Sequence, residues 1–346
     1  MGLASGPVAD SPTGEWDGVE AIMRRGGERL RERMIAAELH LARVTRQAGA
    51  PLAAPASATI RAGGKRLRPL LVLVASAAAG GPPDTPAGEE SLVRAAVAVE
   101  LVHSATLVHD DLIDGAQLRR GHPTVAAMAG REVAVATGDL LFARAFAELA
   151  RNDDVAQLGA LSDASSALAC GELLQREDAF AAHVPVERYL HRCELKTSAL
   201  FEAACRLGAL TAAMGSRALA DALGAFARRI GLAFQMLDDV LDVSGPVERT
   251  GKSRGTDLLD GTVTLPLILA RERERDLAKL DLASLEGQDE AEALCDRIAR
   301  SGALDEARER ALRVVRGATA ALPAILPAKH EELLALVADA VVERYS

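Results

Sequence analysis

Two copies of an acidic pentapeptide constrain this chain more than any other feature. Asp110-Asp111-Leu112-Ile113-Asp114 follows the apolar Leu107-Val108, and Asp238-Asp239-Val240-Leu241-Asp242 follows the run from Leu232 to Leu237. On a helix the first and last Asp of each copy stand at i and i+4, so their carboxylates share one face a turn apart. Like charges so placed repel, and Asp is a poor helix former, so each copy weakens its helix until a cation offsets it. A single copy would most simply be a solvated acidic face. Two copies that both end apolar segments are poorly suited to an open surface, and they predict a fold in which two acidic sites meet across a polar cavity. A hard divalent cation suits such a cavity, because Mg²⁺ is commonly held by one or two carboxylates, with water and phosphate oxygens completing its octahedron. Two or three Mg²⁺ ions between the two sites would in turn grip a diphosphate.

The rest of the chain reads as helix. Aromatic residues are only 3% of the 346, while 49% are hydrophobic, chiefly Ala and Leu, the strongest helix formers. Period-2 alternation bounded by hairpin turns is hardly to be found, and no repeat of solenoid length occurs. Residues 1–15, rich in Gly, Pro, Ser and Ala, are expected to lack fixed structure. A helical pattern runs from Glu15 to about Ala48 with a break at Gly26-Gly27, followed by a loop to Ser57 and a second break at Gly63-Gly64. An apolar helix at 69–79 and a Gly/Pro-rich loop at 80–88 precede a helix from about Glu89 that carries the first acidic copy. Further helices are predicted at about 125–150, 155–178, 186–213, 215–243, 262–275, 287–315 and from 329 onward. The expectation is one all-α domain over residues 16–346.

Charge and cysteine usage exclude several classes. A formal net charge of -9 disfavours non-specific nucleic-acid binding, which needs a basic surface. The longest apolar runs, such as Leu70 to Ala79, reach about half of a bilayer span. No basic stretch followed by an apolar one is seen near the start, so a secretory signal is not expected. Cys170, Cys193, Cys205 and Cys295 lack CxxC spacing and read as reduced, buried thiols of a cytoplasmic protein. No GxSxG elbow, P-loop, GxGxxG or Cys/His metal spacing supports a hydrolase, NTPase or dinucleotide reading.

Cations complement the acids. Gly63-Gly64-Lys65-Arg66-Leu67-Arg68-Pro69 puts three of them in a glycine-flexed turn ahead of a helix, a plausible anion cradle. Arg119-Arg120-Gly121 begins five residues after the first acidic copy and adds two bidentate phosphate donors. Lys196-Thr197 and Lys252 are isolated cations beside apolar or Gly-rich sequence, and each alone reads as a surface charge. His103 lies seven residues before Asp110, and Gln235 three before Asp238, so both fall near the acidic faces. Taken alone, each is more simply a buried polar group satisfied by a neighbouring helix. His109 and His122 carry the same ambiguity with less geometry in their favour.

Eight segments now stand in order: GGKRLRP at 63–69, ELVHSATLVHDDLID at 100–114, RRGHPT at 119–124, GDLLFARAF at 138–146, GELLQ at 171–175, KTSALFEAA at 196–204, FQMLDDVLD at 234–242 and GKSRGTDLLDGTVTLPLILA at 251–270. Through them the chain resembles the trans-polyprenyl diphosphate synthases, the head-to-tail branch of the class I isoprenoid synthase family. One departure is Arg254-Gly255-Thr256, where the family more often shows a second acid or Asn. The resemblance implies an all-α helical bundle around a central cavity. It also implies a prenyltransferase that joins an allylic diphosphate to isopentenyl diphosphate and releases pyrophosphate. Mg²⁺ ions on Asp110, Asp114 and Asp238, with Asp111, Asp239 and Asp242 in support, would hold the allylic diphosphate. Arg119, Lys196 and Lys252 would add donors to it, while Lys65, Arg68, His103 and Arg120 would hold isopentenyl diphosphate. Thr197 and Gln235 would turn oxygens toward the allylic cation, and the last proton would leave with pyrophosphate. A homodimer is implied too, with at most peripheral membrane contact by way of a greasy product.

Product length follows from how far a prenyl tail can descend from Asp110. Ala105 and Thr106, one turn back, are small where short-chain members tend to carry Phe or Tyr. An isoprene unit extends roughly 5 Å, about one helical turn, so an open first turn admits more units, to about C30 to C50. Leu149 and Leu161 are the expected deeper floor, with Phe142 and Phe146 as neighbours. A product of that length would serve as a quinone side-chain precursor. Geranylgeranyl diphosphate is the alternative product, and a non-catalytic subunit of a heteromeric synthase is the alternative of another class. A terpene cyclase would usually carry N/D-D-x-x-S/T-x-x-x-E as its second acidic site, and this chain carries DDVLD instead. A head-to-head synthase is disfavoured on the same motif grounds.

Overall fold

A computed structural model describes residues 17–62, 64–119, 121–245 and 254–343. The expected unstructured start, Gly63, Arg120 and Lys252 lie outside the described residues. Most of what is described is helix, and the strands among it are Leu118–Arg119 and His122–Pro123, a short antiparallel pair at the RRGHPT segment.

The helix Pro86–Ile113 forms the centre. Thr85 caps it by accepting from the Gly88 amide at 3.1 Å, and Pro86 occupies the first turn, where a missing N–H costs nothing. Its length and apolar composition would suit a membrane span, yet it is enclosed by the bundle: Leu92, Ala95 to Val99, Leu101 and Val102 have no exposure. It packs on Arg131–Ala150, Leu67–Ala78 and Glu28–Arg46. The second long helix, Arg217–Ser244, packs on Ala199–Leu210 and Ala303–Ala320. Ala199–Leu210 also touches Leu67–Ala78 and Pro86–Ile113, so it ties the two acidic helices into one core.

Several boundaries differ from expectation. Residues 53–61 form a helix, Ala53–Arg61, inside the stretch expected to be loop as far as Ser57. The segment 125–150 splits into Val125–Ala129 and Arg131–Ala150 at Gly130, whose φ of 88° lies in the left-handed region. The segment 287–315 divides likewise at Gly302 (φ 76°) into Gln288–Arg300 and Ala303–Ala320. The expected helix 186–213 is interrupted by a π turn, Glu194–Ser198. Of the four cysteines expected to be buried, Cys170 is exposed.

Candidate active site

Both acidic copies fall at the C-terminal ends of their helices, where the backbone carbonyls already make the field negative. The dipole therefore adds to the repulsion between the carboxylates, and the two ends meet a common cavity of about 240 Å³. Asp110 and Asp114 reach it from one helix, and Asp238, Asp239 and Gln235 from the other. Burial pushes the Asp110 carboxyl up to about 6; Lys196 opposes the shift, while Glu172 and Asp114 add to it.

Two of the cations share a partner from the GELLQ segment that was not singled out as a site residue. Glu172, buried on helix Val155–Glu177, accepts from Arg176 Nε at 3.1 Å and pairs with Lys196 Nζ. Arg176 also pairs with Asp114. Arg119 grips Asp111 through Nε at 2.7 Å and Nη2 at 2.6 Å.

Lys196 and Thr197 owe their placement to the π turn. Gly171 allows helix Val155–Glu177 to lie against it on one side, since a Cβ there would stand 2.5 Å from the Lys196 amide nitrogen. Gly231 does the same on the other side, where a Cβ would stand 2.8 Å from Ser198 Cα. Single π turns inside helices are rare and frequently mark functional sites. From this turn the Thr197 hydroxyl donates to Gln235 Oε1 at 2.7 Å, and Gln235 Nε2 donates to Asp239 Oδ1 at 2.7 Å. Burial pushes Asp239 up to about 7, with Asp257 and Asp238 adding to the shift and the Tyr189 and Gln235 donors opposing it. Burial also raises the Cys193 thiol, so this cavity-lining cysteine stays protonated and is no nucleophile.

Three expected metal ligands do not face the cavity as ligands. Asp111 is 5% exposed and is committed to Arg119. Asp239 lies in the cavity wall, but both its oxygens accept bonds from within the protein, from Tyr189 and Gln235. Asp242 accepts from the Asp257 backbone N–H at 3.3 Å, so it fixes the following loop. For Asp111 and Asp239 the reason is rotational: neighbouring residues on a helix point about 100° apart, so an Asp beside a cavity-facing Asp faces protein. Asp242 shares the face of Asp238 one turn on and is instead drawn to the loop at Asp257. Among the described residues, no three acidic, His or Cys side chains converge closely enough to hold an ion alone. The hard carboxylates of Asp110, Asp114 and Asp238 nonetheless suit Mg²⁺, which takes few protein ligands and fills its shell with water and phosphate.

The basic turn divides its labour. Arg66, in a left-handed conformation at φ 48°, bonds Glu38 at 2.6 Å, Glu100 at 2.8 Å and the Ile60 carbonyl at 2.7 Å. It anchors the turn. Lys65 is exposed beside it, and Arg68 lies over the Phe201 ring at 5.1 Å. Lys65, Arg68 and His103 do not line the cavity. His109 stands 3.6 Å from Asp139 and against Phe142, also away from it.

The expected product floor is closed. Ala105, Leu149 and Leu161 have no exposure, and the cavity reaches Leu107 without touching these three or Thr106. Thr106 bonds the His103 carbonyl at 2.8 Å, and aliphatic side chains fill the space beneath Asp110. Residues not singled out in the sequence join the lining instead, among them Arg176, Arg192, Asp257, Asp260 and Thr262. The i, i+3 spacing of Asp257 and Asp260 in GTDLLDG was the available signal.

An all-α bundle with two acidic helix ends facing one cation-lined cavity is the class I isoprenoid synthase fold. The chain belongs to the polyprenyl synthetase family, whose match covers residues 50–300. It is 38% identical over 296 residues to heptaprenyl diphosphate synthase component 2 of Geobacillus stearothermophilus, covering 83% of this chain and 90% of the relative. It is 37% identical over 295 residues to geranylgeranyl diphosphate synthase of Methanosarcina mazei, covering 82% and 87%. Among solved structures, polyprenyl synthase from Caulobacter crescentus, complexed with calcium and isoprenyl diphosphate, superposes with a TM-score of 0.83 at 34% identity, covering 97% of this chain and all of that one. The activity these establish is prenyl transfer to form a polyprenyl diphosphate.

Proposed function

We propose that the enzyme condenses an allylic diphosphate head to tail with isopentenyl diphosphate, using Mg²⁺, to give a medium- to long-chain all-trans product. The observation that carries this reading is the meeting of Asp110, Asp114 and Asp238 with Lys196 and Arg119 across one cavity. Mg²⁺ held by those three carboxylates would neutralise charge on the departing pyrophosphate. Lys196 and Arg119 add donors to the same group. Lys65, Arg68 and His103, with Arg120 and Lys252 outside the described residues, complete the proposed diphosphate contacts. The oxygens of Thr197 and Gln235 lie beside the acids and face the allylic carbon as its C–O bond breaks. The calcium and isoprenyl diphosphate named for the Caulobacter structure support a divalent ion and a prenyl diphosphate as the ligands of such a site.

Purified protein given Mg²⁺, farnesyl diphosphate and radiolabelled isopentenyl diphosphate tests the reading. Labelled diphosphates longer than C20 are expected; a product ending at C20 would make this a geranylgeranyl diphosphate synthase, as the Methanosarcina relative is named. No elongation without an added partner would favour the subunit reading, since the Geobacillus relative is named a component. The heptaprenyl name of the Geobacillus relative supports the longer product. Ala105 is closed off in this structure, so the tail must open the space beneath Asp110, and Ala105→Phe is expected to shorten the product by one or more isoprene units on chromatography. An unchanged ladder would remove this position from length control.

Proton competition gives a second expectation. Asp110 must lose its proton to hold an ion, so below about pH 6 the Mg²⁺ concentration for half-maximal rate should rise. The rise approaches about tenfold per pH unit for one titrating ligand. A half-saturation value flat from pH 7 to pH 5 would remove Asp110 from the metal site. We also assign a homodimer, supported by Ile35 and Leu39, 61% and 67% exposed one turn apart on Glu28–Arg46. Light scattering at micromolar concentration should give twice the chain mass. A cytoplasmic location, with at most peripheral membrane contact, is supported by four free cysteines.

A further inference from the structure

Tyr189 belongs to neither acidic copy nor to any basic segment, yet its hydroxyl donates to Asp239 Oδ2 at 2.7 Å inside the cavity wall. Tyr189 has no exposure and Asp239 only 3%. The other oxygen of Asp239 accepts from Gln235 Nε2, and Gln235 Oε1 accepts from Thr197, each at 2.7 Å. Three hydrogen bonds thus run in series from helix Val186–Cys193, across Arg217–Ser244, to the π turn. Their direction is fixed at one end. Both Asp239 oxygens accept, one from the Tyr189 hydroxyl and the other from the NH₂ of Gln235, so the amide oxygen is left toward Thr197. An amide without such an anchor has two nearly isosteric orientations, one of which would present NH₂, the wrong polarity beside a carbocation.

We propose that Tyr189 and Asp239 are positioning residues that set the Gln235 amide, so that the Gln235 and Thr197 oxygens together face the developing allylic cation. On this assignment the second Asp of DDVLD orients a neutral group rather than binding metal. The inference rests on the synthase reading above and adds to it the origin of the cation-facing polarity. Tyr189 supplies the fixed end, because its ring is packed without solvent access and its hydroxyl leaves Asp239 no freedom to turn. A buried network satisfied in this way holds one geometry, whereas a broken one does not.

The test compares variants in the elongation assay, with kcat, both KM values and the Mg²⁺ requirement measured. Tyr189→Phe should lower kcat about tenfold, while each KM stays within about twofold, because binding of the diphosphates is untouched. Asp239→Asn can still accept from the Gln235 amide and donate to the Tyr189 oxygen, so it should lose only about threefold; Asp239→Leu should lose about a hundredfold. The Mg²⁺ requirement should not change in Asp239→Asn. An unaltered kcat in Tyr189→Phe, or parallel shifts of kcat and both KM values, would overturn the proposal. So would a raised Mg²⁺ requirement in Asp239→Asn, which would make Asp239 a ligand. If Tyr189→Phe does not fold, the Asn and Leu variants decide, and equal losses in both count against the relay. A wild type that elongates nothing would instead overturn the synthase reading, and this inference with it.

Discussion

Asp110→Ala is expected to lower elongation by about a thousandfold or more, equivalent to about 4 kcal/mol of transition-state stabilisation. Asp110 faces the cavity from the end of a helix whose dipole is already negative there, and no other acid on that helix shares its position. Removing it leaves Asp114 paired with Arg176 and takes away half of the i, i+4 carboxylate pair. Asp238→Ala should behave alike from the opposite helix. The loss is separable from unfolding, because the sign of the stability change is opposite. Asp110 titrates at about 6 in the fold against 3.8 ordinarily, so its charge costs the metal-free protein on the order of 3 kcal/mol at neutral pH. That penalty is absent at pH values below 3.8 and complete above about 6. Asp110→Asn, which keeps the volume, should therefore raise the metal-free Tm at pH 7 and leave it little changed at pH 4. A variant that loses activity together with Tm at pH 7 would mean that Asp110 is structural.

Gly171→Ala is expected to cost about a hundredfold in kcat together with roughly 1–3 kcal/mol of stability. The added methyl would stand 2.5 Å from the Lys196 nitrogen and 2.8 Å from its Cα, both backbone atoms that cannot rotate away. The π turn must then shift, and with it Lys196 and Thr197. Gly159, three turns earlier on the same helix, has nothing within 4 Å of such a methyl. Gly159→Ala should gain about 0.5–1 kcal/mol from helix propensity alone. Thermal unfolding and steady-state kinetics on the pair check this, and similar behaviour of the two variants would dissociate the close approach from activity.

How far the sequence discloses this site depends on the range of the interaction. Asp110 with Asp114, and the placement of Gln235 near Asp238, follow from helix periodicity alone, so they are legible without coordinates. The roles of neighbours inside a charged cluster are not. Nothing in Lys65-Arg66-Leu67-Arg68 tells that Arg66 is the tether, because its partners Glu38 and Glu100 lie on two other helices. Asp239 looks equivalent to Asp238 until Tyr189, 50 residues away, is seen to bond it. The π turn escapes notice for a different reason: an apolar period passes through residues 186–213 almost undisturbed, and the glycines that make room for the interruption lie on two other helices. The closed space beneath Asp110 was also beyond reach, since small residues such as Ala105 signal room only if their neighbours do not fill it.

Glu172 stands between two cations of the cavity, Lys196 and Arg176, and would act at both ends of the proposed cycle. It bonds Lys196 and Arg176 at once, so neither of these two cavity cations stands bare. If diphosphate binds at Lys196 as proposed, it exchanges there with an internal anion, and its affinity is a difference between two pairings rather than the full strength of one. The same exchange runs in reverse when pyrophosphate departs. On the proposed reading of repeated elongation, the leaving anion would be displaced by a tethered one at every round.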